Sequence, residues 1–303
     1  MEAKTINDMH LSNKTTVSGK LKDVGQFFKL RLSFLVLVSA GAGFLIAPIE
    51  HPDWTRFLWL LLGGFLVTAS SNGFNQVIEI ETDKLMKRTS NRPLPAARMT
   101  PFAGLVLAAL TGSVGVFTLM YFVNPLCGIL SGCSLLSYAL LYTPLKKVSP
   151  FAVFVGAFPG AVPPLLGWVA ATGELSLGAW VLFFLQFIWQ FPHFWAIAWV
   201  LHEDYTRAGF RMLPSAGGQN STSAFQTLMY AGSLIPLGLI PYVFGMAGMY
   251  SAVFITLCGI LFTYQALDLY RKLDEKAARR LMFGSFFYLP LVQIALILDK
   301  IIK

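Results

Sequence analysis

Polar and apolar residues along this chain come in blocks rather than stripes. Nine apolar blocks, at 27–49, 54–78, 100–122, 125–143, 151–172, 175–199, 224–245, 249–269 and 281–301, are separated by short polar connections. About 20 apolar residues cross a hydrocarbon core as a helix, and a block that is apolar all round predicts a helix with no face for water. The pattern therefore predicts an all-α polytopic membrane protein, with nine transmembrane helices forming one domain over 25–303. Residues 1–24 are polar, lack an apolar face and predict a disordered arm. The first block outruns a signal-peptide core and no small-residue cleavage site follows it, so it is expected to remain as a span.

Composition supports this reading and charge refines it. Of 303 residues, 55% are hydrophobic and 13% charged, with a mean hydropathy of +0.63. The net charge of +8 would suit a nucleic-acid binder, but its distribution rejects that. All but Arg56, Lys300 and Lys303 of the 23 Lys and Arg fall on one side: on the alternating connections formed by the N-terminal arm, 79–99, 144–150, 200–223 and 270–280, or, for Lys29 and Arg31, at the adjoining start of the first block. The positive-inside rule then predicts a cytoplasmic N-terminus and, with nine spans, a C-terminus outside; a multi-pass protein of the cell inner membrane is expected. Anionic lipid adds to the attraction. Cys127, Cys133 and Cys258 lie inside predicted spans without CxxC spacing and read as packing residues.

One segment breaks the pattern. Where the second span should end, the chain reads Asn75-Gln-Val-Ile-Glu79-Ile-Glu81-Thr-Asp83-Lys84-Leu-Met-Lys87-Arg88-Thr-Ser-Asn91-Arg92-Pro-Leu-Pro95. Ionisable groups at membrane depth are costly and mark function by default. On a helix, Asn75, Glu79 and Asp83 lie at i, i+4 and i+8, within about 80° of one face and over about 12 Å of axis. Three oxygen ligands on one stripe suit a hard cation. Mg²⁺ fits best, because it takes one or two carboxylates and leaves its other positions to water and phosphate. Lys84, Lys87, Arg88 and Arg92 follow at once and match phosphate oxygens, Arg in bidentate fashion. Acids followed by bases at a membrane surface describe a site for a metal-bridged diphosphate with an apolar tail. A solvated helix end with topology-setting lysines would explain the cations, but not the stripe running back into the span.

A second polar run resembles the first. It reads His202-Glu203-Asp204-Tyr205-Thr-Arg207-Ala-Gly209-Phe-Arg211-Met-Leu-Pro214. Both runs follow an even-numbered span, open with acids and close on a similar tetrad, Arg92-Pro-Leu-Pro95 and Arg211-Met-Leu-Pro214. If the repeat is structural, two four-helix units face each other and their acidic ends converge on one cavity. Asp204 could then add a carboxylate, with Arg207 and Arg211 gripping phosphate. Lys146 ends the fourth span in Tyr142-Thr-Pro-Leu-Lys146, where Pro144 predicts a turn; it either reaches a phosphate or only sets topology. Arg31 either joins the same task or snorkels to the interface. His193, six residues inside the sixth span, is open to three readings: a buried hydrogen-bonded imidazole, a ligand for a substrate iron, or a proton acceptor.

These residues resemble a known family. Asn75 to Asp83, Met86-Lys-Arg88-Thr and Asn91-Arg92-Pro-Leu-Pro95 look like the first motif of the UbiA-type intramembrane prenyltransferases. Tyr142-Thr-Pro-Leu-Lys146, Pro163-Pro-Leu-Leu-Gly167-Trp168 and Pro192-His193-Phe-Trp195 through Met212-Leu-Pro214 resemble the branch that farnesylates protohaem IX. The resemblance runs over nearly the whole chain from about residue 25. It departs at Glu79 and Glu81, where the family has Asp, and at Asp204, a single acid where other members show two.

The resemblance implies nine helices around a central cavity open to lipid, with farnesyl diphosphate and haem B as substrates and haem O and diphosphate as products. Asn75, Glu79, Asp83 and Asp204 would hold Mg²⁺ and diphosphate. Arg31, Lys87, Arg88, Arg92, Lys146, Arg207 and Arg211 would clamp phosphate, and His193 would serve the haem side. It also implies hand-over of product to a haem A synthase or to terminal oxidase assembly. Two rivals stay open at this point: a prenyltransferase of the same fold acting on a quinone precursor or chlorin, and an ion-coupled transporter, which would place its acids near the bilayer midplane.

Overall fold

The computed structural model describes residues 17–302, which are helical and contain no strand. The helices are α1 (Val17–Phe27), α2 (Leu30–Ile46), α3 (Trp54–Ile78), α4 (Ile80–Leu85), α5 (Pro101–Thr118), α6 (Pro125–Leu136), α7 (Thr143–Leu145), α8 (Ala152–Thr172), α9 (Leu177–Val200), α10 (His202–Arg207), α11 (Ser221–Val243), α12 (Met249–Lys272) and α13 (Glu275–Ile302). Two π-helical stretches, Leu119–Val123 and Ser137–Tyr142, extend α5 and α6. Among the described residues, eight helices are long and apolar enough to cross a membrane, and the bent pair α1 and α2 supplies a ninth span. The chain is an integral membrane protein. Its nine helical units follow the nine predicted blocks, with ends shifted by a few residues.

Neighbours in sequence pack as neighbours in space, α3 on α5, α8 on α9, and α11 on α12. The ring closes through α2, which packs on α3, α8 and α13, while α9 touches α8, α11 and α13. Two glycines set the closest approach between α2 and α8. A methyl group on Gly43 would lie 2.0 Å from the Pro164 carbonyl oxygen, and one on Gly167 would lie 1.9 Å from that of Ala40. Small residues let backbones touch where lipid offers no hydrophobic drive for helix association. A polar knot then ties three helices: Ser39 Oγ of α2 donates to Gln186 Oε1 of α9 (2.6 Å), and Gln293 Nε2 of α13 donates to Ser39 Oγ (2.7 Å).

The predicted disordered arm requires correction. Residues 1–16 lie outside the described residues, but 17–24 belong to α1. Its helix is held by tertiary contacts that the sequence does not display. Phe27 is fully buried against Gly73, and Arg98 of the 79–99 connection bonds Asp23 (2.9 Å) and Gln26 (3.1 Å). A 47° bend then leads into α2 through Lys29, whose backbone is left-handed (φ 48°).

The turn predicted at Pro144 also needs correction. Tyr142, Thr143 and Lys146 keep right-handed helical dihedrals, so the chain stays helical up to Lys146. The π-helical stretch just before it resets the register, which places Pro144 in the first turn of α7, where a missing N–H breaks no bond. Thr143 Oγ1 donates to the Tyr138 carbonyl (2.8 Å).

Candidate active site

The acidic stripe is not carried on one unbroken helix. α3 stops at Ile78, and Glu79 (φ −99°, ψ 15°) separates it from α4. The i+4 links survive the break: Glu79 N–H donates to Asn75 O (3.0 Å) and Asp83 N–H to Glu79 O (2.7 Å). The side chains therefore remain together, and Asn75, Glu79 and Asp83 line one cavity of about 170 Å³. All three are buried, Asp83 completely. Thr82 and Thr89 hydroxyls donate to the Glu79 and Asp83 carbonyls (3.0 and 2.9 Å) and pin the kinked segment.

Each acid faces cations. Lys146 forms an ion pair with Glu79 Oε1, and Asn75 Nδ2 donates to Glu79 Oε2 (2.8 Å). Arg92 Nη1 bonds Asp83 Oδ2 (2.7 Å). The other oxygen, Asp83 Oδ1, is buried and accepts no hydrogen bond among the described residues. Arg88 also lines the cavity. Burial pushes the Lys146 ammonium below its ordinary pKa, against the pull of Glu79 beside it. Lys146 Nζ lies 4.9 Å from the Tyr142 ring centroid and 5.1 Å from that of Phe210, so cation–π attraction adds to the pairing. Burial raises the Tyr205 phenol above its usual 10, keeping it a proton donor at neutral pH.

The predicted phosphate clamps divide. Arg88, Arg92 and Lys146 line the cavity, whereas the side chains of Arg31, Lys87, Arg207 and Arg211 are exposed and do not. Asp204 does not reach the cavity either. It is held by Arg207 Nη2 (2.6 Å) and by the backbone amide of Lys87 (3.3 Å). The expected ligand set of Asn75, Glu79, Asp83 and Asp204 is therefore not assembled. The second polar run does converge on the first, but through Tyr205, Phe210 and Met212 on the cavity wall and through Arg211 N–H donating to Lys146 O (2.8 Å). His193 also stands apart from the cavity, bonded to Ser285 of α13.

Sequence reasoning missed Lys29, Tyr138, Tyr205 and Phe210. Lys29, and not Arg31, lines the cavity, and it donates to Asn75 Oδ1 (3.2 Å). Its only local signal was a cation two residues from Arg31. The left-handed backbone at Lys29, which swings it inward, is a tertiary outcome.

Among the described residues no group of three or more His, Cys, Asp or Glu could hold a metal ion. The donors present still fit one hard cation of a particular kind. Glu79, Asp83 and Asn75 offer two carboxylates and an amide, and the unpaired Asp83 Oδ1 is an acceptor waiting for a positive partner. Mg²⁺ binds through one or two carboxylates and takes the rest of its shell from water and substrate phosphate. An acidic centre ringed by Lys29, Arg88, Arg92 and Lys146 can hold a doubly bridged anion and stabilise negative charge that grows on it.

Comparison with known proteins identifies the family. Residues 36–289 match the UbiA prenyltransferase family. Protoheme IX farnesyltransferase of Cytophaga hutchinsonii is 50% identical over 90% of this chain and 96% of its own length. The protein of the same name from Flavobacterium johnsoniae is 41% identical over 96% of this chain and 98% of its own. Digeranylgeranylglyceryl phosphate synthase superposes with a TM-score of 0.79 at 20% identity, covering 94% of this chain and 99% of that one. A UbiA homolog from Archaeoglobus fulgidus bound to GPP and Mg2+ gives 0.70 at 14% identity, over 90% and 99%. At such identities these structures speak for the fold alone. With the family match spanning most of its length and a relative at half identity, this chain belongs to the UbiA prenyltransferase family.

Proposed function

We propose that this protein transfers the farnesyl group of farnesyl diphosphate to a vinyl group of haem B, giving haem O and diphosphate. The observation that carries the reading is the cavity itself, in which Glu79 and Asp83 sit among Lys29, Arg88, Arg92 and Lys146 at the end of membrane helices. Its volume of about 170 Å³ falls below the roughly 300–1,000 Å³ of pockets that enclose whole drug-sized ligands. It suits the diphosphate head, with the apolar chain lying along the helices.

The residues supply the chemistry in order. Entry of the diphosphate gives Arg92 and Lys146 phosphate oxygens in exchange for Asp83 and Glu79, whose carboxylates would then be the residues to hold Mg²⁺. Bound there with Asn75, magnesium would add Lewis-acid stabilisation to the leaving group. As the allylic C–O bond breaks, its electron pair goes to the diphosphate, and Lys29, Arg88, Arg92 and Lys146 meet the growing charge at fixed positions. The vinyl π electrons of haem B form the new C–C bond to the farnesyl carbon. Water adds to the resulting porphyrin-side cation and loses a proton, leaving the hydroxyl. Apolar helices around the site keep other water from the cation.

The distribution of Lys and Arg supports a cytoplasmic site with the C-terminus outside; the family resemblance supports a place in the cell inner membrane and hand-over of haem O to a haem A synthase or a terminal oxidase under assembly. The test is direct. Membranes containing the protein are incubated with labelled farnesyl diphosphate, haem B and magnesium, and products are read by mass. Haem O at the expected mass supports the proposal, and labelled diphosphate released without it sinks the assignment of acceptor.

A further inference from the structure

We propose that His193 is an iron ligand, presented to the porphyrin substrate with its tautomer fixed by Ser285 as a positioning residue. The inference rests on the haem reading above and deepens it.

His193 lies seven residues, or about two turns, beyond Gln186 on α9, so it shares the helix face that meets α13. Its Nδ1 is 2.7 Å from Ser285 Oγ. Ser285 is fully buried, and its hydroxyl directs its single proton to the Met282 carbonyl (2.6 Å). The serine oxygen can then only accept, so Nδ1 carries the proton and donates it. This fixes the imidazole with a lone pair on Nε2, for which no hydrogen-bond partner is found among the described residues.

The ring is also held in place. Trp189 stacks on it at 4.4 Å and 17°, and its own Nε1–H donates to the Ser285 carbonyl (3.1 Å). Phe286 meets the imidazole edge-on at 5.4 Å. Stacking covers a ring face, whereas coordination uses the in-plane lone pair, so the Trp189 stack holds the ring without taking up Nε2. A histidine that binds a metal characteristically donates its other N–H to a second residue, which sets both tautomer and direction. Two aromatic rings against the imidazole suit a flat apolar macrocycle. His193 does not line the diphosphate cavity, so it is assigned to the acceptor.

The test uses the full chain in lipid nanodiscs with ferric haem B as the probe, then reduced, and reads the iron–imidazole stretch by resonance Raman. Wild type is expected to show the band. His193→Ala is expected to lose it and to regain it with free imidazole, while still binding farnesyl diphosphate. His193→Gln, closer in volume, repeats the measurement if the alanine variant loses farnesyl diphosphate binding. Ser285→Ala is expected to weaken haem binding about tenfold and to shift the band while retaining it. An unchanged band in the His193 variants overturns the proposal, as does lost turnover with the band retained, which would make His193 a proton acceptor. Wild type that shows the band but forms no haem O overturns the farnesyl-transfer reading alone. Haem O formation with a band indifferent to His193 overturns the ligand alone.

Discussion

Lys146, at the end of α7, forms an ion pair with Glu79, at the break between α3 and α4. Both side chains are almost wholly buried, and the pair closes the floor of the cavity to which Lys29, Arg88 and Arg92 also contribute. Two charges taken out of water hold each other there, so removing one leaves the other uncompensated.

That asymmetry yields a first prediction. Lys146→Met alone should lower stability by about 3–5 kcal/mol, because it strands a buried carboxylate. The double variant Lys146→Met with Glu79→Gln should recover a good part of that loss, as a double-mutant cycle of thermal midpoints in detergent would reveal. Equal losses in the single and double variants would contradict the pairing.

Among the described residues, Asp83 Oδ1 is a buried cavity oxygen with neither a hydrogen bond nor an ion pair, while its partner Oδ2 is held by Arg92. If magnesium takes that oxygen, Asp83→Asn should need a higher magnesium concentration for half-maximal diphosphate release. At saturating metal its rate should fall by about 100-fold, the cost of losing one preorganised electrostatic contact in an enzyme site. Titration of magnesium against labelled diphosphate release measures both effects. A variant with the wild-type magnesium curve would remove Asp83 from the metal site.

Lys29 reaches the cavity from the bend between α1 and α2 and bonds Asn75. A charge-assisted hydrogen bond to phosphate is worth about 1.5–3 kcal/mol. Lys29→Gln should therefore weaken farnesyl diphosphate binding by about ten- to a hundredfold, whereas Arg31→Gln, whose side chain is exposed, should leave it nearly unchanged. Binding isotherms of the two variants side by side decide between the neighbouring cations.

The contact between α2 and α8 offers a test away from the chemistry. A methyl group at Gly167 would meet the Ala40 carbonyl oxygen at 1.9 Å, which neither backbone can tolerate without moving. Gly167→Ala should lower stability by about 1–3 kcal/mol, the usual cost of overpacking. Gly173→Ala probes a different cost: it meets no neighbouring atom, but its left-handed backbone (φ 86°) strains a side chain by about 1–2 kcal/mol. Thermal denaturation of the pair checks whether α2 moves: loss of farnesyl diphosphate binding is expected only for Gly167→Ala.

The sequence by itself determined the membrane architecture, because a bilayer leaves a chain little choice. Apolar blocks of spanning length must become helices that satisfy their own backbone, so the nine blocks from 27–49 to 281–301 reappear as helical units. It also placed Asn75, Glu79 and Asp83 together, since i, i+4 and i+8 spacing survives a one-residue break. Tertiary structure alone decided which cations meet those acids. Lys87, Arg207 and Arg211 have the right charge in the right loops, yet a loop's side-chain directions follow from its fold and not from its composition. The left-handed turn at Lys29 and the π-helical register before Lys146 bring in one lysine the pattern did not single out and one it left between two readings. Asp204 was drawn away from the cavity by partners, Arg207 and the Lys87 amide, that become neighbours only when two distant loops meet.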